Sequence, residues 1–492
     1  MGLKHRYSYE SLTAELKASE RYYLSPHYAG NISVALVYPN LYGLGMSNLG
    51  FMTVHRLAGS VHGIGLERFF PALEAESPLN SPFYSFETGR PLGDFDVLMF
   101  SFSYEGDFDK IPGIFAALGI PVMASERNRH HPVFIAGGAA VASNAPALSL
   151  IFDALIPGEA ETTLVPVLTR FLEEGLSAMS LTSIPGVWVP AAGLPMSPVM
   201  LMHDVNKQPA YSHIVSTKNA FGGAHIIEVM RGCPRVCAFC LAREIYAPVR
   251  PVDISVISNW LDQHPDCRDL GLVAPSLFDH PQIEEIFAML SDRQIRIRNS
   301  SVKWEKLNPV ILNLLRKSGV SGLTLAPETG SVRLRKAMGK PMDEERFISR
   351  TVELFAHGFE HLKMYFVACL PGETEDDLDA TIELISHACR RAPTSASISA
   401  AFSVFVPKRH TPWHDQPAPP ATEIKRKIKY LKERLNKLPG QIKVTFESPQ
   451  EAVRQAYLSQ VGPELAEEYA REAKACRENR LFSRNQFSAL EF

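Results

Sequence analysis

Three cysteines, Cys233, Cys237 and Cys240, stand in the run Glu-Val-Met-Arg-Gly-Cys-Pro-Arg-Val-Cys-Ala-Phe-Cys, with the spacing C-x3-C-x2-C. Three thiolates on one short loop can hold three corners of a cubane [4Fe–4S] cluster, a group that usually takes four cysteines. The fourth iron then lacks a protein ligand, and an open position is where a metal does chemistry rather than structure. The competing reading is structural zinc, which needs four Cys or His ligands, usually in two close pairs. Here the next candidates are His264 and Cys267 downstream, and His225 upstream on what reads as a strand. Free cysteines do not usually gather with Gly and Pro on one loop, which argues against three unrelated buried thiols.

The rest of the chain must position that loop. Its 492 residues suffice for two or three domains, and 46% hydrophobic with 21% charged residues indicates a core-forming protein. A net charge of -3 excludes broad electrostatic nucleic-acid binding, though a local basic patch stays open. Seven cysteines, three of them clustered, fit a reducing compartment and a metal site better than a disulfide framework. No secretory apolar region follows the N-terminus and no apolar run reaches membrane-spanning length, so a cytoplasmic protein is expected.

Residues 8–24 read as an amphipathic helix within an N-terminal extension, 1–30. Residues 31–175 form a first α/β block. Its apolar runs at 32–37, 97–102 and 133–136 look like buried parallel strands, each followed by Gly, Ser or Asn and a helical segment. That alternation predicts a doubly wound, Rossmann-like sheet with ligands at the carboxyl ends of its strands. Those ends carry residues 38–50, including Tyr42 and Gly45, then Ser101 and Ser103, then Gly137 and Gly138. Residues 176–222 are Pro-rich, a linker or small β-subdomain with a weak strand near 187–189.

From 223 to 410 the pattern is regular. Strands are predicted at 225–230, 269–274, 294–299, 322–326, 361–368 and 395–405, with helices between them. Six βα units predict an incomplete parallel barrel, (β/α)6, with functional residues at the strand carboxyl ends. The cysteine loop follows the first strand, so it lies at that end. The tail, 411–492, reads as an α-rich extension with a basic helix over 425–437, expected to be a solvated face.

The cysteine run resembles the cluster loop of the radical S-adenosylmethionine (radical SAM) enzymes, where an aromatic residue typically precedes the last cysteine, as Phe239 does here. The resemblance implies a [4Fe–4S] cluster whose open iron chelates SAM, reductive cleavage to a 5′-deoxyadenosyl radical, and a one-electron donor such as flavodoxin or ferredoxin. It places SAM among Phe239, the second strand end at Pro275 and Ser276 (where the family often has Gly-Gly-Glu), the third at Ser300 and Ser301, and the fourth at Glu328, with Arg335 and Lys340 after it. Serine hydroxyls and Glu328 suit the ribose or amine, and Arg335 or Lys340 suits the carboxylate. Thr374 is read as a helix cap.

The order Ser-Phe-Ser, Ala-Gly-Gly-Ala and Pro-Gly-Glu-Ala-Glu, the last containing Glu159, is similar to cobalamin-binding domains fused upstream of radical SAM cores. Such domains often carry Asp-x-His-x-x-Gly after the first strand, and residues 38–50 hold no His. The resemblance therefore implies two enzymatic functions. One is cobalamin-dependent methylation of an unactivated carbon. The other is a radical rearrangement, coupling or cyclisation without methyl transfer. A non-catalytic cobalamin or redox sensor is a third, weaker reading. A tRNA methylthiotransferase shares the Phe405-Val-Pro-Lys-x-x-Thr-Pro-Trp run but needs three upstream cysteines, and none precedes Cys233. The substrate is not legible, and no nucleic-acid partner is expected.

Overall fold

The structure, a computed structural model, describes residues 2–24, 27–74, 83–196, 202–299, 301–438 and 442–479. It divides into two compact units. Unit one holds Met1–Asp204, Ala210–Ile226 and Val461–Phe492; unit two holds Val205–Pro209 and Ile227–Gln460.

Unit one contains strands β1 (Glu20–Tyr22), β2 (Ile32–Val37), β3 (Ile64–Phe69), β4 (Val97–Ser101), β5 (Val133–Gly137), β6 (Ala154–Ile156) and β7 (Ile214–Ser216). Its main sheet runs β3-β2-β4-β5-β6, and every pairing is parallel. In order of appearance that is 2-1-3-4-5, a doubly wound order whose direction reverses between β2 and β4. The sequence reading missed β3 because Glu67 and Arg68 interrupt its apolar pattern. All six residues of β3 are nonetheless buried, because both charges find partners. Arg68 donates to Glu20 (2.7 and 2.8 Å) and to Glu87 (2.6 Å), and Glu67 accepts from the Thr88 hydroxyl at 2.7 Å.

The N-terminal helix ends sooner than its pattern suggests. It covers Gly2–Ala18 rather than 8–24, and the next residues form β1, antiparallel to β7 with Glu20 opposite Ser216. Tertiary demand overrides helix propensity here, since Glu20 is the buried partner of Arg68. The weak strand near 187–189 reduces to a single bridge between Trp188 and Leu155.

A histidine pair is enclosed in unit one. His55 Nδ1 and His213 Nε2 lie 2.8 Å apart, and both rings are buried. Burial pushes His213 down to about 3 and His55 well below its ordinary 6.5. The unfolded chain therefore takes up protons first. This pair's contribution to stability is complete above pH 6.5 and is lost as pH falls toward 3, at about 1.4 kcal/mol per pH unit per histidine. His213→Gln should flatten the denaturation-midpoint slope between about pH 6 and about pH 5. An unchanged slope in the variant contradicts the assignment.

Unit two contains Ile227 and Glu228 of β8 (His225–Glu228), and β9 (Met230–Arg231), β10 (Arg250–Pro251), β11 (Asp269–Val273), β12 (Arg296–Ile297), β13 (Gly322–Glu328), β14 (His361–Ala368), β15 (Ser397–Val404) and β16 (Ile442–Phe446). They make a sheet of order β12-β11-β8, a sheet of order β13-β14-β15-β16, and the pair β10-β9. One parallel bridge, Ser301 to Thr324, joins the two larger sheets. The predicted first strand is split at Val229. The predicted third, 294–299, shrinks to two residues. There the Asn299 side chain replaces the backbone ladder, accepting from Leu272 N at 2.7 Å and donating to Leu272 O at 2.6 Å.

The tail divides. β16 extends the larger sheet beside β15, in parallel, while the helix Leu465–Asn479 belongs to unit one, where Tyr469 donates to Asp109 at 2.7 Å. The basic helix, Ala421–Leu435, is not a uniformly solvated face. Lys427 is buried against Glu373 at 3.1 Å, Arg426 pairs with Glu375 at 2.7 Å, and Tyr430 donates to Asp379 at 2.9 Å. These acids sit at or just before the first turns of the helix Glu375–Arg391, where negative charge complements the dipole. Thr374 caps that helix, its backbone N–H donating to Asp377 at 2.8 Å. Among the described residues no helix is long and apolar enough to cross a membrane.

Candidate metal centre and SAM site

The cysteine loop leaves and rejoins unit two through β9 and β10, which pair antiparallel with Arg231 opposite Arg250. Gly232 opens the loop at φ +83, and a Cβ there would lie 2.6 Å from the Pro248 carbonyl, so only glycine makes this turn. Two backbone bonds dock the loop. Ala238 N donates to Met338 O at 2.9 Å, and Trp413 N donates to Ala238 O at 3.1 Å. Leu334, Met338, Leu370 and Phe405 form a small apolar cluster, and Phe239, Val367 and Trp413 pack against it. Phe239 is thus an anchor for the loop.

The three thiols are free and half-buried. Burial pushes Cys237 up from its ordinary value; Lys340 opposes the rise, while Cys240, Glu328 and Cys233 add to it. Burial also raises Cys240, opposed by the backbone N–H groups of Arg243 and Ala242. Cluster binding requires thiolates, so the lysine and the two N–H groups favour the ligating form. Among the described residues, no three His, Cys, Asp or Glu side chains converge on one point as a single ion requires. The zinc alternatives are engaged elsewhere: His264 bonds Trp260 O at 2.8 Å, and Cys267 donates to Asp269 O at 3.7 Å. Three half-buried free thiols on one loop supply the donor set that a three-cysteine [4Fe–4S] cluster would need.

The fourth strand end builds a second part of the site. Glu328 has φ +65, a left-handed backbone for a non-glycine residue. Such strain persists only where the surroundings impose it. They do: Gly330 N donates to the Thr381 hydroxyl at 2.8 Å, a Cβ on Gly330 would lie 2.1 Å from Ala380 O, and Ser331 caps the helix Val332–Ala337. Lys340 Nζ donates to Glu328 at 2.6 Å and to Ala326 O at 2.7 Å. Glu328, Lys340 and Cys237 therefore come together.

The sequence reading missed Arg235, Asp279 and Lys303. Asp279 accepts two bonds from Arg235 inside the cysteine loop (3.0 Å each), one from Lys303 (2.7 Å) and one from Ser276 (2.7 Å). It ties that loop to the end of β11. The position of Arg235 between two cysteines was the one available signal.

Other expected SAM residues are dispersed. Arg335 is buried, 1% exposed, and donates to Thr329 O at 2.8 Å beneath the turn, which does not fit the carboxylate role expected of it. Pro275 is exposed beside Ser276, Ser301 forms the bridge to Thr324, and Ser300 lies outside the described residues.

In unit one the ligand edge differs from expectation. Tyr42 is buried and donates to Glu20 at 2.7 Å, and a Cβ on Gly45 would press into the Phe70 ring at 2.7 Å, so both belong to the core. Ser101 is buried at the end of β4. Ser103 accepts from Asn48 at 2.8 Å, and Glu159 accepts from His203 N at 2.6 Å. Gly137 is half-buried and Gly138 exposed; at φ +106, 2.4 Å from Phe102 O, Gly138 is required by the backbone itself. The strand-order reversal carries Asn40, which donates to Asp107 at 2.7 Å. Burial pushes Asp107 up to about 7. No imidazole lies on residues 38–50.

Residues 227–385 match the family model of the radical SAM superfamily, and residues 50–190 match that of the N-terminal region of radical SAM proteins. The chain therefore carries a radical SAM domain, preceded by a region similar to the N-terminal region of radical SAM proteins. It is 29% identical over 434 residues to the uncharacterized protein MJ0966 of Methanocaldococcus jannaschii, covering 87% of this chain and 88% of that protein. Among solved structures it resembles the cobalamin-dependent SAM radical enzyme OxsB. The TM-score is 0.50 to the form with aqua-cobalamin bound (15% identity, 82% of this chain and 56% of that one) and 0.51 to the apo form (16%, 72% and 51%). This chain thus spans about half the length of OxsB, and at such identity the likeness is one of fold.

Gly339 tests the docking of the loop. It has φ +73, and a Cβ there would lie 2.7 Å from Val236 O. Gly339→Ala should lower the iron and sulfide bound per chain. Gly358→Ala carries similar backbone strain at φ +85, but the nearest atom to a Cβ there is on the flexible Arg316 side chain at 3.6 Å, so it should not. Equal iron in both variants would separate the loop from this contact.

Proposed function

We propose that this chain cleaves SAM reductively at the Cys233–Cys237–Cys240 loop and directs the resulting radical to hydrogen abstraction from a bound substrate. The observation that carries the reading is the convergence of that loop with Glu328 and Lys340. When bound, the cluster and SAM supply the one-electron reduction and the adenosyl radical. The protein's own residues position and shield. Phe239 and Trp413 hold the loop down, Asp279 fixes it through Arg235, and Lys340 offers a cation to the SAM carboxylate while Glu328 accepts from its amine or ribose. A one-electron donor such as flavodoxin or ferredoxin completes the reaction.

A second reading adds cobalamin and methyl transfer. The 2-1-3-4-5 sheet order and the fold likeness to OxsB favour it. Ser103, Gly137 and Gly138 are the edge residues that would receive a planar ligand, with no histidine on residues 38–50 to ligate the cobalt. Anaerobic reconstitution followed by dithionite and SAM should release 5′-deoxyadenosine; methionine with methylthioadenosine instead would overturn the first reading. Incubation with hydroxocobalamin, then desalting, tests the second, and a colourless eluate ends it.

A further inference from the structure

The four strands β13–β16 have one covered face and one open face. Residues alternate between faces along each strand. Leu325, Met364, Phe366, Ala400 and Phe402 are buried on one side. The other side is polar. Thr324, Lys363, Ser399 and Lys443 stand directly opposite one another across all four strands. The next row contains Tyr365, 39% exposed, then the small Ala401 and the exposed Thr445. A closed barrel fills such inward rows with branched apolar side chains; this one does not.

The charge these strands leave unpaired on that face is positive. Glu328 is the only carboxylate in the four strands, and Lys340 holds it at 2.6 Å. Among the described residues neither Lys363 nor Lys443 has a carboxylate partner; Lys363 Nζ lies over the Tyr365 ring at 4.7 Å. The two lysines are two strands apart, about 10 Å, with the Ser399 hydroxyl between them. Two unpaired ammonium groups flanking a hydroxyl, one row from the small Ala401, form a receptor for an anionic group.

The face also leads to the chemistry. Val367 follows Lys363 and Tyr365 on the same side of β14 and packs against the apolar cluster that anchors Phe239 of the cysteine loop. Four residues of strand separate Lys363 from Val367, about 13 Å.

We propose that Lys363 and Lys443, with Ser399, bind a phosphate or carboxylate group of an elongated substrate whose reacting end points along β14 toward Val367 and the cluster loop. This deepens the radical SAM reading and rests on it for the identity of the reacting end. The substrate class is an anionic small molecule.

The test uses the full chain and two probes, pyrophosphate and citrate, titrated calorimetrically. Wild type should bind at least one saturably; tighter pyrophosphate marks a phosphate site, tighter citrate a carboxylate site. Lys363→Gln and Lys443→Gln, each checked for folding by circular dichroism, should each weaken that binding by about tenfold or more. Lys429→Gln, on the helix Ala421–Leu435 and outside this face, should not. Absence of saturable binding, or equal affinity in all variants, overturns the proposal. Anion binding that persists in a protein unable to cleave SAM overturns the functional reading instead.

Discussion

Cys237→Ala should yield a folded protein that gains no stable visible absorbance on anaerobic reconstitution and releases no 5′-deoxyadenosine. The thiol is half-buried, between Cys233 and Cys240 on one loop and near Lys340. A cluster held by three protein ligands has no spare to lose. Outer-shell partners of a metal typically cost 10–100-fold, so a ligand itself should cost more than about 100-fold in SAM cleavage. The docking contacts of Ala238 and Phe239 do not involve the sulfur. The thermal midpoint measured without metal should therefore stay close to that of the metal-free wild type. Cys369→Ala is the control. That thiol is buried after β14, where burial pushes it up to about 12, and its loss should leave iron content unchanged. Full iron in the Cys237 variant would contradict the assignment.

The largest expected effect on stability is at Arg68. Its side chain is fully buried, bonded to both oxygens of Glu20 and to Glu87, with its guanidinium 4.7 Å from the Phe86 ring centre. Arg68→Ala leaves two buried carboxylates without their cation. Breaking a buried pair in this way costs about 3–5 kcal/mol, against a typical total of about 5–15. A urea titration followed by circular dichroism should show a large fall in the midpoint. Adding Glu20→Gln and Glu87→Gln to the variant should restore part of it, because the cost lies in the stranded charges. A midpoint within error of wild type would show that the charges find other partners.

Arg68 also shows where the sequence was legible and where it was not. β2, β4 and β5 announced themselves as apolar runs, and the cysteine loop by its spacing. β3 did not, because its ion pairs are made with Glu20 and Glu87, distant in sequence. The same holds at the site. Glu328 and Lys340 could be named from a strand end and a following basic residue. Arg335, five positions before Lys340, looked equivalent and is instead buried under the turn. Asp279 joins Arg235, Ser276 and Lys303 from three segments, and no local pattern signals that meeting. Tyr42 and Gly45 looked like a ligand loop but pack inward, since Glu20 needs the tyrosine hydroxyl and the Phe70 ring fills the space beside the glycine. Spacing reveals ligands carried on one loop; partners gathered from distant segments, and the facing of side chains at a strand end, are set by packing.

Both proposed functions require a cluster with one iron left open for SAM. Electron paramagnetic resonance of the anaerobically reconstituted, dithionite-reduced protein, recorded before and after adding SAM, tests it most directly. One [4Fe–4S]+ signal per chain is expected, with g-values that shift when SAM is added. A signal that SAM leaves unchanged, or no iron–sulfur signal at all, would contradict it.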